Sequence, residues 1–364
     1  MPNAPSFETN RSAETRPFFS ICIPQYNRTD FLLNACTTFL SQRFKDFEVC
    51  ISDDCSNDGK ELSLLEWLRH SGLVFTYSRT TTNVRYDANL RNAISLSAGR
   101  YLLLMGNDDG LSDPETLQFL HDGLICFQPV AAAITNYREH GSGQVYRRMT
   151  TTGVLGKGPD FAVEVFRDYG FVSGVVLEAD AARKSASDAI DGSEMYQMYL
   201  GTRLIAAGGK FLSIDRVCVD KDLQIAGQVV NSYRMKSRLQ PCPIIERPLP
   251  MGRLLEVVAA GLAPYHQGAE RERHLLRVVR QLYEFTYPFW VVEYRRVQSW
   301  RYAFGVFLAL RPARICKGLP LSWFARLRLW LPYLMIGAVA LSVPIRGFDA
   351  LRPRLYTIAK RYKV

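Results

Sequence analysis

The chain has 364 residues and eight cysteines but no C-x-x-C pair. Cys22, Cys36, Cys50 and Cys126 fall inside apolar periodic segments, where small buried thiols in a reducing compartment are expected. Residues 1–17, MPNAPSFETNRSAETRP, lack the apolar core of a signal peptide and read as a disordered lead-in. No G-x-G-x-x-G follows the first strand-like segment, and G-x-x-x-x-G-K-[ST] does not occur. This excludes the glycine-loop solution to holding a phosphate. No nucleic-acid module is recognisable, and the basic residues are spread through apolar helices, so no nucleic-acid partner is expected. The apolar run 329–343 has no charged residue but is short of the about 20 residues that span a bilayer.

What is present is a folded chain of two halves. Hydrophobic residues make up 48% and charged residues 22%, too apolar for disorder. The net charge of +10 is unevenly placed. Residues 226–364 hold 23 Lys and Arg against 7 Asp and Glu, a surplus of 16, which leaves the first 225 residues at −6. Such asymmetry marks two functional units. The expected boundaries are 1–17, 18–225 and 226–364.

In the first unit, strand-like and helix-like segments alternate. FFSICIP (18–24), FEVCIS (47–52), LVFTYS (73–78), RYLLLM (100–105) and PVAAAIT (129–135) read as strands. RTDFLLNACTTFLSQ, KELSLLEWLRH, DANLRNAISLSAG and SDPETLQFLHDGLICF read as helices, the first with Thr29 or Asp30 as its cap. This rhythm predicts an α/β domain with a largely parallel sheet, whose ligands bind beyond the carboxyl ends of the strands. Polar clusters sit at those ends: Gln25–Arg28, Asp53-Asp54 and Asn107-Asp108-Asp109.

Adjacent carboxylates repel and raise each other's pKa. Asp108 and Asp109 follow a buried strand, so they should either lie in water as a turn or share a cation. Oxygen ligands of this kind suit Mg²⁺ or Mn²⁺, which would bridge them to a diphosphate.

SICIPQYNR, VCISDDCSNDG, the long segment from Thr82 to Leu117 and RLIAAGGKF occur in the order and spacing of the family 2 glycosyltransferases, which the chain resembles over residues 18–215. The resemblance implies a GT-A fold: a Rossmann-like α/β domain with a mostly parallel sheet flanked by helices, here with a helical, basic C-terminal extension. It also implies an inverting enzyme that uses a nucleotide-diphospho-sugar and a divalent metal. Pro24, Tyr26 and Arg28 match residues that line the nucleotide pocket. Asp53 or Asp54 matches the carboxylate that holds the base. Asn83 and Arg91 match residues near the nucleotide, and Asp108 and Asp109 match the pair that contacts ribose and metal. The common family motif begins with Asp where Gly106 stands here.

Inverting transfer needs a carboxylate to take the acceptor proton. The family's Glu-Asp pair falls on Tyr196 and Gln197, so the pair is absent in register. Glu194 is the preferred substitute, with Asp191 next; both equally suit the first turn of a helix. The segment 137–160, with Arg147-Arg148, reads as a loop at the acceptor side or a surface insertion. The C-terminal helices, their Arg surplus and the run 329–343 favour peripheral contact with an anionic cytoplasmic leaflet. The expected protein is a cytoplasmic, membrane-peripheral glycosyltransferase acting on a saccharide or polyprenyl-linked acceptor in cell-envelope polysaccharide synthesis. The alternative is a non-catalytic nucleotide-sugar-binding or scaffold protein with a degenerate site.

Overall fold

The computed structural model describes residues 6–14, 16–226, 250–265 and 268–351. The chain divides into two compact units, Met1–Asn231 and Ser232–Val364.

The first unit is built on a sheet with helices around it. Its strands are β1 (Ser6–Thr9), β2 (Phe19–Gln25), β3 (Phe47–Asp53), β4 (Phe75–Arg79), β5 (Tyr101–Leu104), β6 (Gly110–Leu111), β7 (Ala132–Glu139), β8 (Val145–Tyr146), β9 (Gly153–Gly156), β10 (Val175–Glu178) and β11 (Phe211–Lys221). The helices are α1 (Thr29–Leu40), α2 (Glu61–Ser71), α3 (Arg85–Ser95), α4 (Thr116–Phe127), α5 (Gly158–Val165), α6 (Ala179–Lys184) and α7 (Tyr196–Ala206). The strand order is β1-β4-β3-β2-β5-β10-β7-β11-β6.

The block β4-β3-β2-β5 is parallel. Beyond it β10 runs antiparallel to both β5 and β7, so the sheet is mixed where a mostly parallel one was expected. β10 leads straight into α6, and its Glu178 carboxylate caps that helix by accepting from the Ala181 N–H at 2.6 Å. All of β3, and all of β2 except Pro24, is buried. Burial of successive residues, polar ones such as Ser20 and Glu48 included, is that of strands covered on both faces. Pro24 does not end β2, which continues to Gln25 in register with Asp53.

From β2 the chain builds outward through β3 and β4, then returns to place β5 on the other side of β2. The strand order reverses between β2 and β5, and a crevice opens at such a switch point. The segment expected as a disordered lead-in instead contains β1, which pairs antiparallel with β4 through Ser6↔Arg79 and Thr9↔Thr76. The β4 edge offers an unpaired ladder, and Asn10 fixes the join by exchanging hydrogen bonds with Leu73 and Phe75 backbone groups at 2.8 and 2.7 Å.

The described part of the second unit is helical: α8 (Pro250–Leu262), α9 (Gly268–Phe285), α10 (Tyr287–Val297), α11 (Trp300–Ala309), α12 (Pro312–Ile315), α13 (Trp323–Arg328) and α14 (Trp330–Ser342). Its core takes Leu275, Val278, Leu282 and Tyr283 from α9, Val306 from α11 and Tyr333 from α14. Phe307 stacks on Tyr333 at 4.6 Å. A Cβ on Gly337 would meet the Phe307 ring at 2.1 Å, so glycine permits this close approach of α11 and α14. Helices α13 and α14 form a continuous 20-residue apolar helix, Trp323–Ser342, long and apolar enough to cross a membrane by length and composition. The sequence run began only at 329, because Arg326 and Arg328 interrupt the apolar pattern but not the helix.

Candidate active site

The crevice at the β2/β5 switch is assembled by Gln25, which is fully buried at the end of β2. Its side chain donates to the Asn27 carbonyl at 2.6 Å and accepts from Asn107 at 2.7 Å, tying the ends of β2 and β5 together. Asn89 of α3 donates to its backbone carbonyl at 3.0 Å. Asn27 and Arg28 adopt the left-handed conformation, with φ of 51° and 59°. That turn brings the Arg28 side chain over the acid pair. Neither Thr29 nor Asp30 caps α1. Asp58 does so from the loop after β3, accepting from the Thr29 N–H at 3.1 Å and its hydroxyl at 2.7 Å, while Asp30 pairs with Lys60 at 2.5 Å.

Asp108 and Asp109 lie in the crevice. Arg28 donates to Asp108 at 2.7 Å. Asp109 is 3% exposed; it accepts from the Ser173 hydroxyl and, at 2.9 Å, from the Asp222 N–H. Burial, then the Asp108 charge, pushes the Asp109 carboxyl up to about 7. Asp222 follows β11 in a left-handed conformation, φ 56°. Burial raises its pKa, opposed by its ion pair with Lys221. Oxygens of Asp108, Asp109 and Asp222 lie within 4.8 Å of one another. This all-oxygen donor set of three converging carboxylates fits a divalent cation such as Mg²⁺ or Mn²⁺.

Gly106 packs closely against the acid pair. A Cβ there would lie 2.9 Å from Asp109 Oδ2 and 3.3 Å from Asp108 Oδ1. In this arrangement of the two carboxylates, a side chain at 106 would require the Asp109 carboxylate to shift. The Gly106 N–H instead donates to Ser173 Oγ at 2.8 Å, which orients the hydroxyl toward Asp109.

The remaining expected residues are placed variously. Tyr26 stands 45% exposed at the crevice, and Pro24 is half-buried in β2. Asp53 is buried and accepts from the Ser56 N–H at 2.7 Å. Asp54 accepts from the N–H groups of Val84 and Arg85 at 2.5 and 2.9 Å, holding the start of α3, and Asn83 donates to its carbonyl at 3.4 Å. Burial raises both carboxyls, and these hydrogen bonds oppose it. Arg91 and Asp191 occupy each other in a two-pronged ion pair at 2.6 and 2.8 Å. Glu194 is exposed, at φ 61°.

Asp87, Tyr86, Ser173 and Asp222 were not legible in the sequence. Asp87, 1% exposed, accepts from the N–H groups of Glu194 and Tyr196 at 2.8 and 3.0 Å and from the Ser193 hydroxyl at 3.2 Å. It thereby seats the Glu194 loop at the start of α7. Tyr86 donates to Gln197, one of the two residues standing where the acid pair would be, at 3.1 Å. Its hydroxyl pKa is raised by burial and then by the charges of Asp87, Glu194 and Asp109.

The segment 137–160 supplies structure. Arg148 is buried and donates to the carbonyls of Thr135, Phe171 and Ser173 at 2.8, 2.9 and 2.8 Å; Arg147 is exposed.

The mixed sheet with flanking helices, carrying clustered carboxylates at its switch point, has the GT-A fold. Residues 20–165 match the model of glycosyl transferase family 2. It is 36% identical over 95 residues to the abequosyltransferase RfbV of Salmonella typhimurium, a match covering 26% of this chain and 28% of RfbV. Staphylococcus aureus TarS 1–349, solved in complex with UDP-GlcNAc, superposes with a TM-score of 0.59 at 15% identity, over 88% of this chain and 90% of TarS 1–349. The mannosyltransferase PcManGT of Pyrobaculum calidifontis, solved with GDP-Man and Mn²⁺, gives 0.51 at 14% identity, over 98% and 90%.

Proposed function

We propose that the protein moves a sugar, with inversion, from a nucleotide-diphospho-sugar to a hydroxyl of a saccharide or lipid-linked acceptor in cell-envelope polysaccharide synthesis. The carrying observation is the carboxylate cluster Asp108, Asp109 and Asp222 beside Arg28 at the β2/β5 switch. The sugar nucleotides named for the solved neighbours support the donor class. The abequosyltransferase similarity supports a polysaccharide role.

The cluster would hold Mg²⁺ or Mn²⁺, which supplies charge neutralisation on the departing diphosphate. Arg28 lies where it would bind the same diphosphate, exchanging the Asp108 carboxylate for phosphate oxygens. Tyr26 offers an exposed ring against the nucleotide base. Asp53, Asp54, Asn83 and Asp87 shape the pocket through backbone contacts. Glu194 takes the proton of the attacking hydroxyl. Asp191 is a poorer base because Arg91 occupies both its oxygens, and in this role Arg91 positions the loop. The second unit rests against the anionic cytoplasmic face of the membrane through its surplus of basic residues and its apolar helix.

A degenerate, non-catalytic site is favoured by one observation, the Tyr196 and Gln197 pair standing where the family places its acids. Incubation with a panel of nucleotide sugars, with Mn²⁺ or with chelator, decides between them. Metal-dependent transfer or hydrolysis supports the enzyme; metal-dependent binding without turnover of any donor supports the binding protein.

A further inference from the structure

Helices α9 and α13–α14 enclose a groove of about 520 Å³, a size in the range of ligand sites. One wall carries Arg273, Arg277 and Arg280, spaced so that they share a face of α9; Arg328 stands opposite. Glu284 is the acid in the lining, and it pairs with Arg280 at 2.7 Å. Arg273 also pairs with Glu270 at 4.0 Å, so four guanidinium groups stand against two carboxylates and the groove keeps a positive surplus. The floor beside Arg328 is apolar: Leu331 and Met335 line the groove and continue onto the outer face of α14.

That outer face is the second observation. Tyr333, Gly337 and Ala340 turn inward. On the opposite side Trp323, Leu331, Met335 and Val339 are 74%, 67%, 62% and 65% exposed. Leu327 and Leu334 join them. A helix apolar on both faces, with one face uncovered, needs an apolar occupant. The positive groove opens onto that face.

We propose that this groove binds the terminal phosphate or diphosphate of a single lipid, whose hydrocarbon chain lies along the exposed face of α13–α14. The charge selects a phosphate ester, which carries about −1.5 to −2 at neutral pH and matches the arginine fork. The adjoining apolar face selects a lipid over a soluble phosphate or a nucleic acid. The inference rests on the membrane contact of the second unit, and adds to it a discrete headgroup site.

The test uses the full chain and vesicle co-sedimentation. Phosphatidylcholine vesicles carry either a polyprenyl phosphate or phosphatidylglycerol, adjusted to equal surface charge. The wild type should bind the polyprenyl phosphate vesicles about tenfold or more tightly. Arg277→Ala/Arg280→Ala should erase that preference while keeping residual binding to both. Leu331→Ser/Met335→Ser, at exposed positions where folding is undisturbed, should weaken binding to both in a salt-insensitive way. Equal binding of the two vesicles by the wild type overturns the headgroup site and leaves the membrane contact standing. A preference that survives the arginine substitutions also overturns it. A wild type that stays in the supernatant with both vesicles, or self-associates instead in sedimentation velocity, overturns the site together with the membrane contact. Nucleotide binding, measured on the same preparations, reports separately on the first unit.

Discussion

Arg28 donates to Asp108 across 2.7 Å, with both side chains about one-fifth exposed. The guanidinium also sits 4.4 Å from the centre of the Phe31 ring. It is the positive group that an acid pair at the end of a buried strand requires.

Arg28→Ala should weaken binding of a nucleoside diphosphate in Mn²⁺ by about 10- to 100-fold, the loss of a hydrogen bond to a charged group being about 1.5–3 kcal/mol. Arg28→Lys should recover part of this, since it restores charge without the planar fork. Titration calorimetry reads the result; an unchanged Kd for Arg28→Ala removes Arg28 from the diphosphate site.

Asp109 holds its proton more tightly in the folded chain than its ordinary 3.8, up to about 7. The folded state therefore binds more protons than the unfolded chain between these values, and stability from this group falls as pH rises through them. In chelator, Asp109→Asn should raise Tm by a few degrees at pH 8 and by little at pH 4. Mn²⁺ should raise the Tm of the wild type at pH 8 and leave Asp109→Asn nearly unmoved, while transfer is abolished in the variant. Equal Mn²⁺ stabilisation of both proteins by differential scanning fluorimetry would argue against the cation site. Asp222→Ala should lose most of the Mn²⁺ response as well.

Glu194→Gln keeps shape but cannot accept a proton. It should lower turnover by about 10²–10⁴-fold with donor binding nearly intact. Asp191→Asn breaks the pairing with Arg91, so it should disturb KM more than kcat. The opposite pattern in steady-state kinetics makes Asp191 the base; full turnover in both excludes the pair.

Arg148 is held near 10 by burial, below its ordinary 12.5. Arg148→Met would strip four carbonyls, those of Thr135, Asp168, Phe171 and Ser173, of this donor, each costing about 1–3 kcal/mol when buried and unsatisfied. Denaturant unfolding should show a loss of more than about 3 kcal/mol, against less than about 0.5 kcal/mol for Arg147→Ala. Similar losses for the two would mean that the carbonyls find other partners.

The sequence by itself determined the alternation of strands and helices in residues 18–135, because continuous apolar runs and helical periodicity are local signals. It also located the polar clusters after β2, β3 and β5, and the break in charge between the two units. Edge strand β1 escaped notice because a four-residue, half-exposed strand carries too little apolar pattern to stand out in a polar segment. Only the tertiary structure joined Asp222 to Asp108 and Asp109, residues more than 110 positions apart in sequence that meet because β11 ends beside the β5 turn. Only the tertiary structure showed that Gly106 makes room for its neighbours' carboxylates, that Asp191 is engaged by Arg91, and that one face of α14 is packed while the other is bare. Periodicity reports which residues are apolar; which side of an all-apolar helix finds a partner depends on packing far along the chain.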